Sequence, residues 1–321
     1  HFAWRIRGNP LSWLDALPDA APDLIVATSM VDLSTLKGLH PHLGKIPTVY
    51  YFHENQFAYP QGSSQLKSLE PKMVQLYGAL AAERVLFNSE YNRSTFLEGV
   101  TRLLDRMPDQ VPPGVIDRLT EKSSVLPVPV EPITPATERD GKLIVWNHRW
   151  EYDKDPELFA EAMIALAGRG ADFRLALLGW RHERAPEPLT RLREVLTDRI
   201  VADARLPAND YRSVLARAAI VVSTSKHEFQ GISVLEAASA GCIPLVPDAL
   251  CYPEIYPAEY RYPAGNRDAL VDRLEDWLAG DIPGAVNVDA WSTARLKPAW
   301  RNVLVDEDTR FHEAMERFRD A

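Results

Sequence analysis

The chain has 321 residues, 46% of them hydrophobic and 25% charged, with a formal net charge of −9. That is a globular composition, long enough for two domains with real cores, and it excludes a disordered or fibrous chain. No apolar run approaches the ~18 residues that span a bilayer, and the acidic balance argues against non-specific nucleic-acid binding, which rests on phosphate neutralisation.

The charge is uneven. Residues 1–130 carry 12 basic and 13 acidic side chains, and the rest carries 24 against 32. The first part is nearly neutral and the second acidic, which leaves room for a local basic face only on the first. Cys242 and Cys251 are the only cysteines. They form no disulfide framework, so a reducing, cytoplasmic compartment is expected.

In chain order, HFAWRIRGNP at the start fits no clean strand. DLIVAT (23–28), PTVYYF (47–52) and RVLFNS (84–89) then read as strands separated by helical stretches. The proline-rich segment LPVPVEPITPATERDG (126–141) forbids a helix and favours an extended linker. The pattern restarts beyond it with KLIVWN (142–147), FRLALLG (173–179), AIVVSTS (219–225) and CIPLVP (242–247). These near-continuous apolar runs are what strands buried on both faces require. DPELFAEAMIALAGRG (155–170) is the clearest helix: Asp155 caps it, Pro156 suits its first turn, and Leu158, Phe159, Met163 and Leu166 make one stripe. Strand–helix alternation on both sides of the linker predicts two α/β domains with doubly wound parallel sheets. The expected division is residues 1–130, a linker at 131–141 and a second domain at 142–304. A terminal helix over 305–321 shows Phe311, Met315 and Phe318 at helical spacing and needs a surface to lie on.

Three stretches at strand ends could carry chemistry. SKHEFQGISVLEA follows the strand at 219–225. In parallel sheets ligands bind outside the carboxyl ends of strands. The backbone N–H groups of Gln230, Gly231, Ile232 and Ser233 lie at a helix start, where an anion such as a pyrophosphate is favoured. Glu228 on the loop suits sugar hydroxyls, and Glu236 two turns along suits a ribose diol. A helix cap at Glu228 and a solvated Glu236 account for the same residues equally well. The second stretch, NHRWEYDKDPELF, puts Arg149 and Lys154 on a loop before a helix, both suited to phosphate. Surface ion pairs with Glu151 or Asp153 are the simpler account of that stretch taken alone. The third, YYFHENQFAYP, sets His53, Glu54, Asn55 and Gln56 in a row between aromatics. Asn88 and Ser89 end a further strand, where Ser89 as a plain helix cap is an equal reading. No H-x-x-x-H or C-x-x-C spacing occurs, so no metal site is expected.

Together these stretches resemble the GT-B glycosyltransferases of the retaining family 4 type, whose E-x7-E motif matches Glu228 and Glu236 and whose diphosphate-binding Arg and Lys match Arg149 and Lys154. The wording YYFHENQFAYP, FNSEYNRSTFL, HRWEYDKDPELF and STSKHEFQGISVLEA is closer still to the tRNA-queuosine α-mannosyltransferase family. The resemblance implies two facing Rossmann-like domains, the second binding a nucleotide sugar and the first the acceptor. It implies catalysis by His53, Glu228, Arg149 and Lys154, donor binding by Arg149, Lys154, residues 230–233 and Glu236, and an acceptor side of His53, Glu54, Asn55, Gln56, Asn88 and Ser89. It also implies retention without a metal, no membrane insertion, GDP-mannose as donor and queuosine-bearing tRNA as acceptor. The terminal helix is expected to cross back onto the first domain. The family starts with a strand and a Gly-rich loop, which on this resemblance belong before His1. Competing readings are a family 4 enzyme using UDP-glucose or another donor with a saccharide or lipid acceptor, a non-catalytic nucleotide-sugar-binding protein, and an epimerase or phosphorylase on the same fold.

Overall fold

A computed structural model describes residues 2–18, 20, 22–59, 69–180 and 187–305. The expected helix bearing Phe311, Met315 and Phe318 lies outside the described residues.

The first domain opens with helix α1 (Phe2–Ser12), although Pro10 lies inside it. A parallel sheet follows, in which strands β1 (Ile25–Thr28), β2 (Thr48–Phe52), β3 (Arg84–Phe87) and β4 (Ser123–Val125) lie side by side in chain order. Helices α2 (Leu33–Leu39), α3 (Glu70–Ala81), α4 (Glu90–Leu104) and α5 (Val115–Glu121) make the crossovers. One sheet face packs Tyr50, Phe52 and Phe87 against Phe96 and Val100 of α4, with Phe52 stacked on Phe87 at 4.6 Å.

The second domain carries six parallel strands: β5 (Asp140–Trp146), β6 (Arg174–Leu177), β7 (Ile200–Asp203), β8 (Ala218–Val222), β9 (Ile243–Pro247) and β10 (Arg261–Tyr262). Their spatial order is β10-β9-β8-β5-β6-β7. The chain winds outward from β5 to β7, then returns to the other side of β5 and winds outward again. The reversal falls between the neighbours β5 and β8, and the crevice at their carboxyl ends is where such sheets hold ligands. The connecting helices are α6 (Pro156–Gly168), α7 (Glu187–Leu196), α8 (Ala208–Arg217), α9 (Ile232–Ser239), α10 (Tyr252–Ile255) and α11 (Arg267–Ala279). α6 forms as expected. Asp155 accepts from the Leu158 N–H, the apolar stripe is buried, and Gly170 leaves the helix with φ +83°.

The last described helix, α12 (Thr293–Val305), lies back on the first domain. Leu296, Trp300 and Val303 cover Val49, Tyr51, Leu86 and Leu126 on the open face of the first sheet, and the Trp300 indole donates to the Pro127 carbonyl at 3.0 Å. The crossing therefore begins at residue 293, inside the stretch expected to belong to the second domain. Among the described residues no helix is long and apolar enough to cross a membrane.

Two further contacts tie the domains together. The Gln230 amide meets both backbone groups of Val128 on the linker, accepting from its N–H at 2.9 Å and donating to its carbonyl at 2.7 Å. The Glu254 carboxylate, on α10, accepts from the backbone N–H groups of Glu90 and Tyr91 at the start of α4.

Candidate active site

The loop after β8 and the start of α9 form one wall of the crevice. Gly231 begins α9 at φ +70°, and a Cβ there would meet the Tyr252 ring at 3.0 Å. Only glycine takes that backbone without strain. The tyrosine is fixed in turn by its hydroxyl, 2.7 Å from Ser223 Oγ at the end of the strand. The first-turn N–H groups of α9, from Ile232 and Ser233 onward, thus stand at the reversal point with the positive end of the helix dipole.

The loop after β5 forms the second wall. It is pressed against the end of β6 so closely that a Cβ on Gly179 would lie 1.3 Å from the His148 carbonyl oxygen. Lys154 reaches from it to Glu228. Its Nζ lies 3.1 Å from Glu228 Oε2, 3.2 Å from Asp153 Oδ2 and 2.7 Å from the His227 carbonyl, with only 9% of the side chain exposed. The other carboxylate oxygen of Glu228 accepts from the Phe229 N–H at 3.0 Å. Burial pushes the Glu228 carboxyl up, but Lys154 and His148, with Lys154 and Gly231 donating, outweigh it and hold the group down at about 2. Lys154 goes the other way: burial opposes its charge, and Glu228 and Asp153 keep its pKa raised. Arg149 is different, since it is 56% exposed and pairs with Glu151 at 3.3 Å. The expected phosphate pair thus consists of one buried and one exposed cation.

Glu236 faces the same crevice from the second turn of α9, where its Oε2 accepts from the Tyr211 hydroxyl at 2.8 Å. Burial raises its carboxyl, and Tyr211 and Arg212 partly offset that.

The first domain reaches this site through the loop after β2. Glu54 is half-buried. Burial raises its carboxyl, with Arg149 and Lys154 opposing and Asp153 and Glu228 reinforcing, so it shares the field of the second domain's charges. Tyr59 on the same loop lies against the His227 ring at 4.3 Å. His53 is exposed, its ring 4.7 Å from Tyr51. It lies just past the end of β2, beside Tyr51.

Several expected contact residues build the loops instead. Asn55 is fully buried. Its amide donates to Asn92 and Thr95 of α4 and accepts from the Phe57 and Ala58 N–H groups. Asn88 donates to the His53 carbonyl and accepts from Asn92. Ser89 caps α4 through the Asn92 N–H. Gln56 donates to Glu54 Oε1 at 3.2 Å and so leans on the one residue of its row that faces the other domain's charges. The Gln230 side chain holds Val128, and its backbone N–H, the group expected at the donor, points to Glu228 Oε1 at 3.5 Å. Asn55, Asn88 and Gln230 sit at loop corners and satisfy backbone groups that need partners.

Sequence reasoning missed His148, His227, Asn147 and Tyr211, and weighed Asp153 only as a surface ion-pair partner, whereas its pair with Lys154 is buried. Burial and the nearby Lys154 hold His148 and His227 down at about 4, so both imidazoles are neutral at physiological pH. The buried atoms His148 Nε2, His227 Nε2 and Asp153 Oδ1 have no hydrogen-bond partner. A histidine beside each recognised residue, in HR at 148–149 and HE at 227–228, was the available signal.

The sequence pattern described as the N-terminal domain of tRNA-queuosine alpha-mannosyltransferase matches residues 1–130, and that of glycosyl transferases group 1 matches residues 133–287. The tRNA-queuosine alpha-mannosyltransferase of Drosophila melanogaster is 35% identical over 285 residues, 84% of this chain and 75% of that protein. This chain belongs to the tRNA-queuosine alpha-mannosyltransferase family. It is a hexosyltransferase of the GT-B fold. The 2-deoxystreptamine glucosyltransferase of Streptomyces kanamyceticus is 27% identical over 45% of this chain and 36% of its own length. Among solved structures, HepE of Anabaena in complex with UDP matches 94% of this chain and 81% of its own at a TM-score of 0.68 and 13% identity. TarM matches 91% at 0.65 and 15% identity, and this chain spans 57% of TarM. At such identities the structures establish the fold alone. In this family member the two domains face each other across the crevice that holds Lys154, Glu228 and Glu54.

Proposed function

We propose that this protein transfers a mannosyl group from GDP-mannose to queuosine in a tRNA anticodon, retaining the anomeric configuration and using no metal. The observation that carries the reading is the Lys154–Glu228 pair at the strand-order reversal, under the N-terminus of α9 and opposite Glu54 of the other domain. Membership of the family supplies the sugar and the acceptor.

In the proposed reaction the diphosphate lies between Arg149, Lys154 and the first N–H groups of α9. The bond from the sugar C1 to the β-phosphate oxygen breaks, and its electron pair leaves with the phosphate. Lys154, Arg149 and the helix start stabilise that developing charge. The acceptor hydroxyl attacks the same face, the new C1–O bond forms, and the hydroxyl proton passes to the departing phosphate oxygen. Lys154 would then exchange part of its contact with Glu228 for phosphate, freeing Glu228 to accept from sugar hydroxyls. Glu236 would take the ribose. Glu54 would face the incoming acceptor, with His53 at the outer edge. Two free buried thiols, Cys242 and Cys251, suit the cytoplasmic location that a tRNA acceptor requires.

The test is transfer itself. The protein is incubated with GDP-mannose or UDP-glucose and with tRNA that bears or lacks queuosine, and the digested nucleosides are weighed. One added hexose on queuosine, from GDP-mannose only, is the expected outcome. Transfer from UDP-glucose, or equal labelling of tRNA without queuosine, would overturn the donor or the acceptor.

A further inference from the structure

Behind the crevice, three elements of the second domain meet at one phenol. Tyr211 stands on α8, and its hydroxyl has a single proton to give. That proton goes to Glu236 Oε2 at 2.8 Å. The phenol oxygen of Tyr211 in turn accepts from Asn147 Nδ2 at 3.0 Å, at the end of β5. Asn147 is anchored by a second donation, 2.7 Å to the Ser233 carbonyl in the first turn of α9. The relay therefore runs from strand end to α8 to α9 and ends on one carboxylate oxygen, leaving Oε1 to accept from a ligand.

The Tyr211 phenol is largely withdrawn from water, so its proton needs a fixed acceptor, and Glu236 is the acceptor it has. Here the phenol decides where a carboxylate points. Its rival is Arg212, the next residue of α8, whose charge also acts on Glu236 and whose guanidinium donates to the Pro132 carbonyl at 2.9 Å. Without the phenol, Glu236 is free to turn toward Arg212. A vicinal diol has fixed spacing, so an acceptor that rotates loses most of its bond.

We infer that Tyr211 is a positioning residue for nucleoside recognition: by holding Glu236 Oε2 it aims Oε1 at the ribose hydroxyls of the donor nucleotide. The inference rests on the proposed ribose role of Glu236. Asn147 completes the relay by holding Tyr211 to the strand that defines the crevice.

The experiment measures calorimetric affinities of GDP and of its 2′,3′-dideoxy counterpart for the wild type, Tyr211→Phe, Glu236→Gln and the double variant. Removing a charged hydrogen bond predicts that the wild type prefers GDP by about tenfold to a hundredfold. Tyr211→Phe should shrink that preference severalfold while leaving the affinity for the dideoxy nucleotide in place. Glu236→Gln should nearly abolish the preference, and the double variant should be no worse than Glu236→Gln, since residues acting as one unit are not additive. A merely structural tyrosine would weaken both nucleotides in parallel and lower the melting temperature, and that result overturns the proposal. If Glu236→Gln loses the preference while Tyr211→Phe keeps it, the ribose reading stands and the role of Tyr211 falls. If the wild type itself shows no preference, the ribose reading falls and takes Tyr211 with it.

Discussion

The two cations proposed for the diphosphate do different structural work, and that difference is measurable. Lys154 is buried against Glu228 and Asp153, whereas Arg149 is largely in water. Breaking a buried pair by removing one partner typically costs about 3–5 kcal/mol, because the other charge is left uncompensated. Lys154→Met should therefore melt at a clearly lower temperature at pH 7 and lose GDP affinity. Glu228 has a depressed carboxyl, so its stabilising contribution is complete above the unfolded value near 4.5 and vanishes as pH falls toward about 2. The deficit of Lys154→Met relative to wild type should accordingly be largest above pH 5 and narrow below pH 4. Arg149→Ala should leave stability within about 0.5 kcal/mol while still weakening GDP. Melts across pH together with GDP titrations decide both. A Lys154→Met deficit that does not narrow in acid would mean that the pair with Glu228 is not what stabilises the loop.

At the scale of elements, the apolar runs marked seven strands, and the structure has a strand at each. The strands that escaped are β4, β7 and β10. They are short or lie at a sheet edge, and such strands need no continuous apolar run. The crossing helix at Thr293–Val305 went unread because Pro298 interrupts the sequence around Leu296, Trp300 and Val303, which hides their i, i+4, i+7 spacing. The motif residues of the candidate site stood out because each lies on a loop just past a strand or, for Glu236, on the helix that follows one. Their partnerships were not, since Lys154 and Glu228 are 74 positions apart. Glu254 shows the same limit: nothing in CYPEIYP announces that its carboxylate caps a helix in the other domain. Ser89 satisfies one orphan donor of α4, and Glu254 takes two more. Glu254→Ala should cost about 1 kcal/mol, as a lost N-cap does. Hydrogen exchange should show protection falling at the Glu90 and Tyr91 amides, with β3 unaffected. Unchanged protection at those two amides would remove Glu254 from the interface.

At the scale of the whole molecule, the question is how a strongly acidic second domain, whose charge deficit was plain in the sequence, binds an anionic donor. Some of its surface acids are paired locally, as Asp272 and Glu275 are with Arg169. At the crevice, His148 and His227 are held neutral. The positive field there comes from Arg149, Lys154 and the N-terminus of α9, which acts as roughly half an elementary charge. Asp153 and Glu228 partly cancel it, so attraction strengthens when the diphosphate displaces Glu228 from Lys154. Fixed donors of this kind can stabilise a departing phosphate as a divalent cation would, each worth about 3 kcal/mol of barrier. Transfer should therefore proceed at an unchanged rate in excess EDTA, and added magnesium or manganese should not raise kcat. Arg149→Ala should lower kcat/KM by about a hundredfold without creating a metal requirement, because the lost charge sits at the solvent edge and, among the described residues, no group of three or more Asp, Glu, His or Cys side chains is placed to hold a metal ion. Turnover that disappears in EDTA and returns with manganese would show that the crevice cations do not suffice, and the roles of Arg149 and Lys154 would then have to be assigned anew.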